Sequence, residues 1–361
     1  MEADSDIGPE SVVTVLHSLG FRDVRHEELQ RAHGGIVNEV YVSVTLAVKI
    51  RRGRDGRLFY ANCLVSDWAD RQLQQLPHTS PSRGHPGLLD EGRLPVVKTL
   101  AYDCFERCAF EVLVMARVPG GLLEEALALD ALSDGELRTL VGQLCRAARR
   151  LQELRFESFG MIWLDERFPT YGAFLQAQFE HLERKLVEQR CVHLDLLHRA
   201  RSYWERHRSV FDEERRAVLV HDDLHAGNLM HAGARLMAIL DFDSALKAAP
   251  IATLFSLLKF LERPLGCFNE SQYDGRHFLK LIPVVRAEFT DLFADKFLLR
   301  KLSLLYLLCC LDNLDGNEDP LTIERWIKCL EEESTLKDDL NSDDTHFGKI
   351  LQQYSNSTYI S

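Results

Sequence analysis

The chain has no basic surplus: 43 Lys and Arg stand against 55 Asp and Glu, a formal charge of −12. That excludes the broad cationic face with which proteins hold a nucleic-acid backbone non-specifically, and an acidic surface favours cationic partners instead. It also lacks any C-x-x-C pair. The nine cysteines are odd in number and scattered, with Cys309 and Cys310 inside an apolar run. This is the pattern of free, buried thiols in a reducing compartment, not of a disulfide framework or a zinc ribbon. Long apolar runs are missing too. The uncharged run Leu302 to Leu311 is bounded by Lys301 and Asp312 and is too short to cross a bilayer. The acidic start, Met1-Glu2-Ala3-Asp4-Ser5-Asp6, has no apolar core behind it and is no secretory signal. There are no internal repeats, and no G-x-x-x-x-G-K-[ST] loop, which excludes the P-loop route to nucleotide. A soluble, cytoplasmic protein is expected, with no membrane span and no nucleic-acid partner. At 361 residues and 46% hydrophobic content, it has material for about two domain-sized units.

What is present concentrates between Leu219 and Asp243. An apolar strand end runs into His221-Asp222-Asp223-Leu224-His225-Ala226-Gly227-Asn228, and a second apolar strand, Met237 to Leu240, delivers Asp241-Phe242-Asp243. A lone H-x-D is an ordinary Asx turn, and a lone D-F-D an ordinary strand end. In this order, each behind a strand, they suit phosphoryl transfer. That reaction needs an acceptor hydroxyl positioned and phosphate charge neutralised by metal, with little covalent help. One carboxylate must face the hydroxyl, while an amide oxygen and another carboxylate hold Mg²⁺.

The spacing matches the kinase pattern H-x-D-x-x-x-x-N, with Asp241 where the metal-binding Asp of a D-F-G segment stands. The stretch resembles the aminoglycoside phosphotransferase and choline kinase family, whose loop reads H-x-D-L-H-x-G-N followed by I-D-F/W. The resemblance implies Asp223 as the acceptor-facing base, Asn228 and Asp241 as metal ligands, and His221 as a brace for the loop. It implies an α+β, bilobal, protein-kinase-like fold. A small antiparallel β-sheet lobe (1–118) clamps nucleotide, and a larger, mainly helical lobe (119–361) carries the catalytic loop and acceptor site. The donor is ATP or GTP, and the acceptor a small hydroxyl compound.

Upstream, Ser11 to Leu19 has helical spacing after Pro9, and His33-Gly34-Gly35-Ile36-Val37-Asn38 leads into alternating Val and Tyr residues, a strand rising from a tight loop. Gly34, Gly35, Asn38 and Tyr41 match the family's phosphate-covering loop, and Val37 stands where Ser is common. The next strand, Leu46 to Ile50, carries Lys49 among apolar neighbours. It either lies on the solvated face of an edge strand or grips an anion, and beside Asp223 and Asp241 it becomes the phosphate clamp. The following helix offers Asp67 or Asp70 as its acidic partner, where relatives usually have Glu. The basic run Arg51 to Arg57 reads as a solvated turn. Phe110 to Val118 is a strand ending in Pro119-Gly120-Gly121 and resembles the family's hinge, where backbone groups around Ala116 and Val118 read the adenine edge.

The second half is predicted helical. Ser133-Asp134-Gly135-Glu136 is a capping box opening a long helix with apolar residues at a 3.6-residue period. Partly exposed helices follow at about 170–189 and 193–208. Apolar ones follow at 254–261, 278–285, 289–293 and 297–314, and a last one starts at Leu321. Thr253 stands where relatives carry an Asp thought to anchor the catalytic loop. The Asp and Glu residues between these helices are a solvated face or line a pocket for a cationic acceptor. Two other classes compete: a pseudokinase that binds nucleotide or a partner without turnover, favoured by Val37, Thr253 and the missing helix Glu, and a hydrolase with zinc on His221, Asp223 and His225.

Overall fold

The structure, a computed structural model, describes residues 7–32, 38–51, 58–75, 94–107, 110–189, 194–264, 276–314, 327–329, 331–332 and 345–355. Gly34, Gly35, Val37 and most of the helix expected after Leu321 lie outside the described residues.

In chain order come helix α1 (Pro9–Ser18), strands β1 (Gln30–Arg31), β2 (Glu39–Val42) and β3 (Leu46–Arg51), and helix α2 (Tyr60–Gln75). Strands β4 (Thr99–Cys104), β5 (Glu111–Ala116) and β6 (Gly121–Leu122) lead to helices α3 (Leu123–Ala128) and α4 (Asp134–Leu151). Strands β7 (Arg155–Phe156) and β8 (Gly160–Met161) precede helices α5 (Tyr171–Gln189) and α6 (Leu194–His207). Strands β9 (Ala217–Val220), β10 (Leu229–Ala232), β11 (Arg235–Ile239) and β12 (Leu246–Ala248) then run into helix α7 (Pro250–Glu262). Helices α8 (Arg276–Leu279), α9 (Ile282–Glu288), α10 (Thr290–Phe293), α11 (Leu298–Leu314) and α12 (His346–Ser355) follow. The chain divides into two compact units. One takes in Met1–Ala131, Ile162–Asp165 and Gly227–Ala245, the other Leu132–Met161, Glu166–Ala226 and Leu246–Ser361.

In the first unit, five antiparallel strands lie in the order β1-β2-β3-β5-β4. Strand β3 is therefore central, and its sequence, Leu-Ala-Val-Lys-Ile-Arg, is apolar wherever it is not Lys49 or the terminal Arg51. One face of the sheet buries Tyr41, Val48, Ile50, Val112 and Val114 against Val12, Val15 and Leu16 of α1. Each such side chain contributes about 1.5–3 kcal/mol of transfer free energy. A smaller sheet joins the β10–β11 hairpin to β6, with Met230 opposite Leu122. Ile239 N–H donates to Pro95 O at 2.7 Å, tying the hairpin to the segment before β4. Gly120 has φ +112, and a Cβ there would lie 2.3 Å from the carbonyl oxygen of His231, so β10 can approach this turn only because the residue is glycine.

The second unit holds the sheet β7-β9-β12-β8, also antiparallel. Its strand β9, Ala-Val-Leu-Val, is buried throughout and packs against α4 and α7, which explains a continuous apolar run instead of alternation. Helix α4 starts where the capping box predicts: Glu136 N–H donates to Ser133 Oγ at 3.3 Å, and Ser133 N–H donates to the Glu136 carboxylate at 2.9 Å. Helix α11 is apolar on nearly every side because α5, α6, α7 and α12 all pack on it. Its buried Lys301 is neutralised by Glu214 at 2.5 Å and Asp295 at 2.7 Å. Among the described residues, no helix is long and apolar enough to cross a membrane.

Ser133→Ala removes one half of the capping box and is expected to lower stability by about 1 kcal/mol, measured by urea denaturation. Gly120→Ala is expected to cost about 1–3 kcal/mol from its left-handed backbone alone, whereas Gly135→Ala, which meets nothing within 4 Å and lies in helix α4 where Ala is favoured over Gly, is expected to cause no loss in the same assay.

Candidate active site

Lys49 is the most informative side chain of the first unit. It is only 6% exposed, and β3 is central rather than an edge, so the solvated-edge reading is excluded. Its Nζ lies 2.8 Å from Asp241 Oδ1 and 2.6 Å from Asp243 Oδ2, above the ring of Phe59 at 5.1 Å from the centroid. The expected acid on the following helix is not its partner. Asp67 is exposed, and Asp70 stands 4.0 Å from Lys98. Helical phase is the reason: at 100° per residue, Asp67 and Asp70 lie about 140° and about 80° round α2 from Asn62. Asn62 is the residue that turns inward. Its Nδ2 donates to Asp243 Oδ1 at 2.7 Å, and its Oδ1 accepts from Phe242 N–H at 3.1 Å. Asn38 Nδ2 also donates to Asp243 Oδ2, at 3.3 Å.

Burial by itself lowers the pKa of an ammonium; here the two carboxylates outweigh it, and Lys49 is held above its ordinary value as a cation. Burial pushes the Asp243 carboxyl up to about 6, Lys49 and Asn62 draw it back, and the charge of Asp241 adds to the rise. Asp241 itself has φ +59, a left-handed conformation that Asp tolerates better than most residues and that is often retained at functional sites. Leu240 N–H donates to Asn228 O at 2.8 Å, and Leu229 pairs with Ile239 in the β10–β11 ladder. Asn228 and Asp241 therefore stand at the same end of one hairpin. An amide oxygen and a carboxylate are the hard donors that Mg²⁺ takes, so this donor set fits the ion. Of the two hinge positions, Ala116 commits its N–H to Lys98 O at 2.9 Å, while Val118 lies past the strand end.

In the second unit, β9 delivers His221, buried at 4% exposure, and then Asp223, whose side chain is 55% exposed and stands 3.7 Å from His225 Nε2. Helix α7 lies against this loop. Ser256 Oγ donates to His221 O at 2.8 Å, and Lys259 Nζ donates to Asp222 O at 3.2 Å. Thr253, Ser256 and Lys259 are spaced three apart and so share a face of α7. Burial raises the pKa of Asp222, Lys259 opposes it, and the charge of Asp223 adds to it. Among the described residues, no three His, Cys, Asp or Glu side chains gather to hold a metal ion.

Sequence reasoning missed Asn62, Ser256 and Lys259, and named Asp243 without giving it a role. The available signal was a Ser and a Lys inside the mostly apolar run from Pro250 to Leu261; Asn62 carried none.

A model of the "Phosphotransferase enzyme family" matches residues 87–282, more than half of the 361. No curated protein matches the chain in sequence. Among solved structures, a thermostable mutant of aminoglycoside phosphotransferase APH(4)-Ia, in ternary complex with AMP-PNP and hygromycin B, superposes with a TM-score of 0.60. It is 13% identical, over 91% of this chain and 99% of that one. The gentamicin complex of APH(2")-IIa gives 0.60 at 14% identity, over 93% and 100% of the two chains. The streptomycin-ATP complex of the same protein gives 0.55 at 13%, over 92% and 97%. These likenesses carry the α+β, bilobal, kinase-like fold. The family match carries the membership: this chain belongs to the phosphotransferase enzyme family.

Proposed function

We propose that the chain is a Mg²⁺-dependent kinase that moves the γ-phosphate of ATP or GTP to a hydroxyl of a small molecule, with a cationic amine as the acceptor class its acidic surface favours. The observation that supports this best is the buried ammonium of Lys49 on the carboxylate of Asp241, with Asn228 at the same hairpin end. In this reading Lys49 and the backbone at Gly34 and Gly35 grip the phosphates, and the backbone at Val118 receives the base. Asn228 and Asp241 hold the metal ion, which when bound neutralises charge on the transferring phosphoryl group. Asp223 orients the acceptor hydroxyl and takes its proton at a carboxylate oxygen as the new O–P bond forms and the bond from the γ-phosphorus to the bridging oxygen breaks, releasing the nucleoside diphosphate. His221 stays out of proton transfer and fixes the loop from below. The solved relatives with AMP-PNP and hygromycin B, or ATP and streptomycin, support a nucleoside triphosphate as donor and an aminoglycoside-like polyamine as acceptor.

A second reading, a nucleotide-binding protein without turnover, draws support from Thr253, standing where an acid is expected, and from α2 presenting Asn62 rather than a Glu to the site. The two readings separate on Asp223→Asn, screened for nucleotide consumption against aminoglycosides, choline-like amines and sugars. Mg²⁺-dependent consumption by the wild type that falls by about 10²–10⁴-fold in the variant, with nucleotide affinity unchanged, supports the kinase. Tight nucleotide binding with no consumption by the wild type supports the binding protein.

Support from α7 can be tested separately. Ser256→Ala removes one hydrogen bond, about 1 kcal/mol, from beneath the catalytic loop. Turnover is expected to fall about fivefold while KM for the nucleotide stays within about twofold; an equal rise in KM would place Ser256 elsewhere in the mechanism.

A further inference from the structure

The residue that keeps Lys49 in place is not the one that sequence comparison leads one to seek. Two carboxylates share one ammonium at 2.8 and 2.6 Å, and they are not equivalent. Asp241 is 34% exposed at its side chain and stands at a left-handed φ. Asp243 is 12% exposed and fixed on both oxygens, Oδ1 by Asn62 and Oδ2 by Lys49 and Asn38. If Asp241 is committed to a metal ion, a buried ammonium still needs a carboxylate, since an unpaired charge there costs several kcal/mol. Asp243 is the carboxylate that stays.

We propose that Asp243, held by Asn62, is the standing counter-ion that positions Lys49, in the place of an acid on helix α2. The proposal rests on the phosphotransferase reading for what Lys49 then grips. It accounts for Asn62, because a carboxylate at that position would only accept hydrogen bonds and would face Asp243 with like charge. The amide does what a carboxylate cannot: its NH₂ donates to Asp243 while its oxygen accepts from Phe242 N–H. The negative charge that faces Lys49 thus comes from the segment after β11, with an amide rather than an acid facing it from α2.

The test is a double-mutant cycle on nucleotide-free protein, joined to a rescue. Lys49→Met and Asp243→Asn, alone and combined, are compared by denaturation midpoint. The proposal expects the double variant to lose clearly less than the sum of the single losses, because the direct Lys49–Asp243 interaction can be lost only once. Nucleotide binding is then read by direct titration with ATP in the absence of metal. Asp243→Asn is expected to weaken it by about tenfold, and adding Asn62→Glu to recover most of that loss by returning a carboxylate to α2, an effect that a purely structural Asp243 would not give. Additive midpoints, or an Asp243→Asn variant that binds like the wild type, overturn the proposal, as does a failed rescue. The cycle needs no turnover, so it decides the role of Asp243 even where Asp223→Asn leaves phosphoryl transfer unchanged and so sinks the kinase reading.

Discussion

A cation buried in the centre of a β-sheet is the constraint around which the first unit is built. A lone ammonium at 6% exposure is not tolerated in an apolar setting, so β3 can carry Lys49 only if other elements bring carboxylates to it. The β10–β11 hairpin does so from nearly two hundred residues away in sequence, ending beside β3 with Asp241 and Asp243. Once the pair is formed, the rest of the local geometry follows. The hairpin must reach the sheet, so it is stitched to Pro95 and laid against the turn at Gly120, where no side chain would fit. Asp241 must turn back toward Lys49, and its left-handed backbone is held by the bonds of Leu240 N–H before it and Phe242 N–H after it.

Which parts of this were legible in the sequence depends on how far along the chain the partners lie. The motif from His221 to Asn228, the Asp at 241 and the capping box at Ser133 are local. Their chemistry demands fixed short spacings, and spacing is what a sequence displays. The strands around Lys49 and the apolar period of α4 were legible for the same reason. The partner of Lys49 was not. Reading α2 for an acid led to Asp67 and Asp70, but the phase of the helix, set by the burial of Phe59, Ala61, Val65 and Trp68, turns Asn62 inward instead. Nothing local distinguishes an Asn that bridges to a residue 181 positions away from one that caps or faces water.

The loop after β9 in the second unit shows the same limit with opposite polarity. An Asp at position 253 would support the loop by accepting hydrogen bonds. The residues that do support it, Ser256 and Lys259, donate to the carbonyl oxygens of His221 and Asp222. The carbonyls of His221 and Asp222 are thus points of attachment to α7. A Ser and a Lys in an apolar helix look like solvent-facing residues until the helix is placed beneath β9, where buried carbonyls require donors.

Both departures therefore share a form. At Asn62 and along the Thr253 face, an expected carboxylate is absent and a helix side chain donates a hydrogen bond in its stead, to Asp243 in one unit and to His221 O in the other. Random decay of a site leaves buried charges and carbonyls without partners, at a cost of about 1–3 kcal/mol for each uncharged group, and selection for stability removes them by making the site apolar. Here the ammonium, the second carboxylate and the carbonyls of His221 and Asp222 are all paired. Keeping a buried ion pair is a weak way to stabilise a fold, since well-packed apolar residues do as well or better. A buried ammonium at Lys49, with two carboxylates and an amide arranged around it, is therefore not explained by stability alone.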